Sequence, residues 1–390
     1  MQDPRVNVTS PDLYFDFNGS TPVDASVLAA AAPYLSGEFA NPSANHVAGQ
    51  RARAAIDAAR VRIAESIGAH AEEIRFTSGG TESNNWALFG SMPREARVHV
   101  LVSAIEHKSV LSTADELERQ GHVVTRVAPD SSGAVRVADV ERALRADTAL
   151  VSVMWANNET GVLQPVREIG ELCRARNVRF HSDAVCAYGK VAVDVASSPC
   201  DLLSLASHKV YAPKGLGVLF VRRGTALRPF MWGCGQQDGL RGGTENPFTV
   251  VALARAAEII QRERATGAVR LEILREELWR GIRERCAGAS RNGSGATLPN
   301  TLNVRFPGRL GADLQRELSA LGISVSVGAA SIDATPSHVL IAMGLAPAAA
   351  RESVRFSLGA TTTRESVTAL LAALEAVSIS HPSSRMEYSS

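Results

Sequence analysis

No apolar run in this 390-residue chain approaches the length of about 20 residues that a membrane-crossing helix requires. The start, Met1-Gln-Asp-Pro-Arg, lacks the apolar segment of a secretory signal, so no export is expected. Charge of one sign is missing too. The 41 basic and 40 acidic residues leave a formal net charge of +1, with no long run of either. A nucleic-acid or anionic-membrane partner is therefore not expected. Cysteine is sparse: Cys173, Cys186, Cys200, Cys234 and Cys286 are odd in number and contain no CxxC pair. That spacing excludes a CxxC-type metal site and reads as free thiols in a reducing cytosol, so the expected location is cytoplasmic and no metal is expected. Internal repeats and low-complexity tracts are also absent.

What the chain does have is an ordinary globular composition, 45% hydrophobic and 21% charged, and enough length for two domains. From about residue 70 to 225, short apolar runs alternate with amphipathic segments. Residues 74–77, 98–103, 123–127, 149–154, 178–181, 202–206 and 218–221 read as strands. Residues 83–89, 109–119, 137–144 and 165–176 read as helices between them. Such alternation predicts a mostly parallel sheet covered on both faces, with ligands at the carboxyl ends of its strands. After Pro247 the character changes. A long helical stretch is expected over 250–286, broken near Thr266-Gly267, followed by a strand over 302–306 in a smaller α+β domain.

The chemistry-bearing residues cluster at the expected strand ends. His181-Ser-Asp183 and Ser207-His208-Lys209 put a carboxylate and a lysine after neighbouring strands, the arrangement that a pyridoxal 5'-phosphate (PLP) site needs. The lysine can form a Schiff base with the cofactor aldehyde, and the carboxylate keeps the pyridine nitrogen protonated. Taken singly, Lys209 reads as a solvated surface lysine. Thr77-Ser-Gly-Gly-Thr-Glu-Ser-Asn-Asn85 follows a strand and opens a helix, where glycines let the backbone approach a phosphate and free N–H groups face it. The same turn without a ligand is equally consistent with the residues. Glu106-His107-Lys108 brings an imidazole to this edge, although a lone histidine is more often packed or solvated. Asn157-Asn-Glu-Thr-Gly161 offers an amide to the phenolic oxygen of PLP, or is a simple turn.

Together these motifs resemble, in order and over nearly the whole length, those of cysteine desulfurases and selenocysteine lyases in the class V aminotransferase family. Further matching segments are Tyr14-Phe-Asp-Phe-Asn-Gly-Ser-Thr-Pro22, Asn41-Pro-Ser43, Gly239-Leu-Arg-Gly-Gly-Thr-Glu-Asn246, Leu298-Pro-Asn-Thr301 and Arg355-Phe-Ser-Leu-Gly359. The resemblance implies an α/β fold-type I PLP enzyme. Residues 22–255 would form the large cofactor-binding domain, and residues 1–21 with 256–390 the small one. By the same resemblance Lys209 carries the cofactor, Asp183 pairs with its ring nitrogen, and His107 stacks on the ring and moves protons. Asn158 and the residue at 186 face the phenolic oxygen. Gly80, Thr81, His208 and Thr244 hold the phosphate, Thr244 reaching across a homodimer. Arg355 clamps the substrate carboxylate, with Asn41 as a further substrate contact.

The departures from the family pattern are as informative. Where the family places a loop cysteine that takes up sulfur as a persulfide, this chain has Ser331, and no cysteine follows Cys286. A serine hydroxyl is not appreciably ionised near neutral pH and cannot hold a persulfide. Cys186 stands where a glutamine is usual, Ala206 where a phosphate-binding serine is usual (with Ser207 as a substitute), and Cys234 interrupts a Gly-Gly-Gly run. The segment from Ser331 to Pro336 looks shortened. A single engineered Cys-to-Ser exchange would leave the other site residues intact, so distributed departures favour natural divergence. The expected function is PLP chemistry on a small L-amino acid, by family default C–S cleavage of L-cysteine to alanine, with the identity of any sulfur-accepting protein unspecified. The alternatives are a persulfide-independent aminotransferase, lyase, racemase or decarboxylase, or a scaffold that binds the cofactor without catalysis.

Overall fold

The computed structural model describes residues 13–328 and 335–379; Ser331 lies outside the described residues. Strand β1 (Leu13–Tyr14) opens the chain. Seven strands then build the central sheet: β2 (Ile74–Thr77), β3 (His99–Ser103), β4 (Val123–Val127), β5 (Thr148–Ser152), β6 (Arg179–Asp183), β7 (Leu202–Ala206) and β8 (Gly217–Val221). Their order is β2-β8-β7-β6-β5-β3-β4. Only β8 runs against its neighbours, pairing antiparallel with β2 and β7. The other contacts are parallel. Thus β2, β3, β5, β6 and β7 all deliver their carboxyl ends to one edge, as the strand-helix alternation predicts.

Burial follows position in the sheet. Every residue of β3, β7 and β8 is buried, whereas the edge strand β4 has exposed residues. This matches parallel strands covered on both faces, which read as continuous apolar runs. Gly217 at the start of β8 meets a close-approach requirement: a Cβ there would lie 2.4 Å from the Gly79 carbonyl carbon. The bare backbone lets β8 run under the turn that begins the helix Gly80–Ser91.

The second core is separate. Strands β9 (Ser290–Arg291), β10 (Thr301–Arg305) and β12 (Ser353–Ser357) form an antiparallel sheet in the order β12-β10-β9. Strand β11 (Ile323–Ser324) pairs in parallel with β1. Phe15, Leu278, Leu302, Phe356 and Leu370 belong to this core, so the start of the described chain packs with its last third. The helix Pro247–Arg285 links the cores: Val250 to Ala257 contribute to the large one, Leu274 to Ile282 to the small one.

The expected break at Thr266-Gly267 is absent, and the helix runs through for 39 residues. A glycine in a helix costs only about 1 kcal/mol relative to alanine. Thr266 turns its hydroxyl back to the Glu263 carbonyl at 3.0 Å, and packing at both ends keeps the segment helical through its exposed middle. Helix Gly80–Ser91 starts three residues before the expected 83, which brings Gly80 and Thr81 into its first turn. All five cysteines are free thiols.

Candidate active site

At the carboxyl edge of the sheet lies a cavity of about 370 Å³. Gly80, Thr81, His107, Asn158, Asp183, Cys186, His208, Lys209 and Arg355 all line it, joined by Asp16, Asn18, Asn84 and Ser109. These groups come from both ends and the middle of the sequence.

Asp183 ends β6 and is buried. Its Oδ2 accepts from Asn84 Nδ2 at 2.7 Å and its Oδ1 from the Val185 N–H at 2.9 Å. Two donors on two oxygens fix the orientation of the side chain. The same Asn84 amide donates to Ser109 Oγ at 2.8 Å. Ser109 in turn meets His107: its backbone N–H donates to Nδ1 at 3.1 Å, and its Oγ lies 2.8 Å from that atom. An N–H aimed at Nδ1 requires an unprotonated nitrogen there, so the neutral ring carries its proton on Nε2. Burial pushes the imidazole below its ordinary value, with Asp183 opposing the shift.

Glu106, one residue before, is fully buried. Its Oε1 accepts from Ser103 Oγ at 2.5 Å and from the Met154 N–H at 2.7 Å, while Oε2 has no partner. Burial, helped by the charge of Asp183, pushes this carboxyl up to about 8. It is therefore a neutral acid at neutral pH.

Lys209 sits in the short turn Ser207–Lys209 after β7. Its Nζ donates to the carbonyls of Asn18 and, at 2.8 Å, Gly19. Burial lowers its ammonium pKa, which favours the neutral amine that a covalent anchor must supply. His208 is drawn down to about 4 by burial and by Lys209 and Lys214, so it lines the cavity as a neutral hydrogen-bonding group, its Nδ1 3.3 Å from Ser20 Oγ. Arg355, central in β12, is buried. Its Nη2 meets Asp16 Oδ1 at 2.6 Å, its Nη1 donates to the Asn158 carbonyl at 3.0 Å, and among the described residues its Nε has no partner.

Two expected contacts lie elsewhere. Ser207, expected as a substitute phosphate ligand, does not line the cavity: its hydroxyl is turned toward the carbonyls of Pro213 and Leu216. The tight turn after β7 fixes that orientation. Asn41 is exposed, accepts from the Ser43 N–H at 2.9 Å to close a local turn, and does not line the cavity. Thr244, expected to reach into the site of a partner subunit, is exposed and lies outside this chain's own cavity. Asn84, Ser109, Asp16 and Asn18 carried no assigned role, although all but Ser109 fall inside the family motifs.

The residues fit PLP on the chemistry of the donors. A buried carboxylate stands ready for the ring nitrogen, an amine with depressed basicity is within the same cavity, and the first turn of helix Gly80–Ser91 lines it together with His208, suited to an anionic group. Buried Asn84 Oδ1 and Arg355 Nε retain unused hydrogen-bonding capacity at its border.

The model of the aminotransferase class-V family matches residues 13–370, and the chain belongs to this family. It is 38% identical over 369 residues to the cysteine desulfurase IscS of Clostridium botulinum (strain Hall), with 93% of each chain covered. Identity to the cysteine desulfurase IscS of Anaeromyxobacter sp. (strain K) is 42% over 361 residues, covering 91% of this chain and 89% of that one. Among solved structures, a NifS-like protein superposes with a TM-score of 0.89 at 36% identity, covering 94% of this chain and 99% of its own. SspA in complex with cysteine gives 0.79 at 39% identity, covering 88% and 98%. The chain is thus a fold-type I, PLP-dependent enzyme of the cysteine desulfurase type.

Glu106 yields a prediction. The folded protein keeps a proton that the unfolded chain, titrating near 4.5, has lost, so this group makes stability fall as pH rises from about 4.5 toward about 8. Glu106→Gln should flatten that part of the stability–pH curve in denaturant titrations. An unchanged slope would show the carboxyl to be ionised in the fold.

Proposed function

We propose that the chain uses PLP, anchored on Lys209, to act on a small L-amino acid whose carboxylate is held by Arg355. The observation that carries this reading is the convergence of Lys209, Asp183, His107 and Arg355 on one cavity. When bound, PLP supplies an electron sink for the charge left on the substrate's Cα. The protein's own groups divide the remaining work. Asp183, fixed by Asn84 and the Val185 N–H, presents a charged acceptor to the ring nitrogen. Lys209, with its amine favoured over the ammonium by burial, takes the Cα proton. His107, locked at Nδ1 by Ser109, exchanges protons through Nε2. Gly80, Thr81 and His208 hold the phosphate, and Asn158 and Cys186 border the phenolic oxygen.

The substrate and its fate form the finer part of the proposal. SspA was solved in complex with cysteine, and C–S cleavage of L-cysteine is the reading that the relatives' names support. Serine at position 331 deprives this chain of the thiol that would receive the sulfur. A persulfide-independent reaction on a small amino acid is favoured by that residue and by Cys186 and Ala206 in the cofactor pocket.

We further infer a homodimer with composite sites. Thr244 is exposed, and the neighbouring Glu245 is buried and ion-paired to Arg53 at 2.6 Å and Arg60 at 3.2 Å, which fixes the loop that presents it. Phe39 and Trp232 are 75% and 74% exposed, apolar surface suited to a partner. Obligate interfaces of this kind bury more than about 2,000 Å². Sedimentation should give a dimer; a monomer that binds PLP tightly would refute the composite site.

The function is tested by mixing the holoenzyme with a panel of L-amino acids, following the cofactor's absorption and identifying products by mass spectrometry. Change with cysteine alone supports desulfuration, change with another amino acid supports the divergent reaction, and no change with any supports a scaffold. Lys209→Ala should lose the borohydride-reducible bond to the cofactor, and its retention at another lysine would overturn the anchor assignment.

Ser331→Cys separates the two reactions. Little persulfide is expected on that cysteine after incubation with L-cysteine, because misplacement by about 1 Å already costs on the order of a hundredfold. A strong, time-dependent gain of one sulfur on the peptide containing position 331, with alanine released, would show a desulfurase that lacks only its acceptor.

A further inference from the structure

The amino-acid end of the cavity already contains a carboxylate. Asp16 Oδ1 lies 2.6 Å from Arg355 Nη2, so the arginine assigned to the substrate is engaged by the protein itself. The two side chains differ in access: Arg355 is 6% exposed and Asp16 26%. A ligand approaching the guanidinium from the cavity therefore meets the aspartate's charge. Asp16 and Asn158 use two of the five guanidinium N–H donors, and among the described residues the buried Nε has no partner, so the group keeps donors for an incoming carboxylate while Asp16 stays in place.

Asp16 is held in this pose by its neighbours. Its Oδ2 lies 2.3 Å from where a Cβ on residue 19 would be, so the carboxylate occupies space that only glycine leaves open. The Gly19 N–H donates to the Asp16 carbonyl at 2.8 Å, and the Gly19 carbonyl accepts from Lys209 Nζ at 2.8 Å. One turn thus fixes a negative charge between the lysine and the arginine.

We propose that Asp16 determines substrate specificity: as a resident carboxylate on Arg355 it admits amino acids with uncharged side chains and rejects those whose side chain carries a second negative charge. This rests on Arg355 being the carboxylate clamp. The Arg355–Asp16 pair sums to zero charge, so the α-carboxylate of a substrate already leaves this subsite one negative charge in excess. A second carboxylate or sulfinate finds no further arginine or lysine among the described lining residues except Lys209, which is committed to the cofactor. Repulsion in such a cavity is several times that in bulk water, because the effective dielectric constant is about 20 rather than about 80.

The test is a titration of the holoenzyme with L-alanine, L-serine, L-aspartate and L-cysteine sulfinate, reading dissociation constants from the cofactor's absorption. Calorimetry with propionate and succinate, which lack an amine, gives a readout independent of the cofactor. Wild type should bind the singly charged members of each set more tightly. Asp16→Asn, which keeps the side chain's shape, should improve binding of the doubly charged ligands by at least about tenfold relative to the others. Gly19→Ala, whose methyl displaces Oδ2, should shift the ratio in the same direction. A ratio unchanged within about twofold in both variants, or wild type that binds succinate as tightly as propionate, would overturn the inference. Arg355→Gln tells this failure from a failure of the clamp: if it leaves alanine and propionate affinity unaltered, the clamp is wrong. If it weakens both while the ratio stays fixed in the Asp16 and Gly19 variants, only the role of Asp16 is wrong.

Discussion

A single buried carboxylate sets the electrostatic terms for this site. Asp183 is held by an asparagine amide and a backbone N–H, and its charge has consequences on each side. Through Asn84 and Ser109 it is linked to the orientation of His107, so the carboxylate proposed for the cofactor's nitrogen and the imidazole share one hydrogen-bonded chain. Through space its charge adds to burial in keeping Glu106 protonated. Glu106, with one oxygen bonded to Ser103 and Met154 and both buried, is the carboxyl of the pair that keeps its proton at neutral pH.

The arrangement of Lys209 and Asp183 was legible because it depends on short-range features. β6 and β7 pair in parallel with Asp183 opposite Ser204, so the two motifs emerge together at the same edge. The apolar runs that mark those strands are bounded by the functional residues themselves. Ser207 shows where such reading stops: it follows the same strand as Lys209, but the turn rotates its hydroxyl into the backbone carbonyls of residues 213 and 216. Periodicity places a residue on an element without fixing side-chain direction in an irregular turn.

Asp16 was illegible for a different reason. Its partner Arg355 is 339 positions away, and the strand before it is two residues long. Its place in a family-like segment marks Asp16 as a motif residue but does not tell which group it faces. The uninterrupted helix Pro247–Arg285 was misjudged on opposite grounds, since Thr266-Gly267 is a real local weakness that packing in both cores overrides.

The same separation has a consequence for assembly. Asn18 and Gly19 supply carbonyls to a lysine about 190 residues later, and Asp16 waits for a strand near the end of the chain. Closing loops of this length carries an entropy cost that local helix and hairpin formation does not. On the ribosome the first part of the site to be made is the last to find its partners. A nascent chain can form the parallel sheet with Asp183 and Lys209 in place while its amino-acid subsite does not yet exist. The order of synthesis therefore gives a cofactor pocket before a substrate pocket, and only the finished chain joins them.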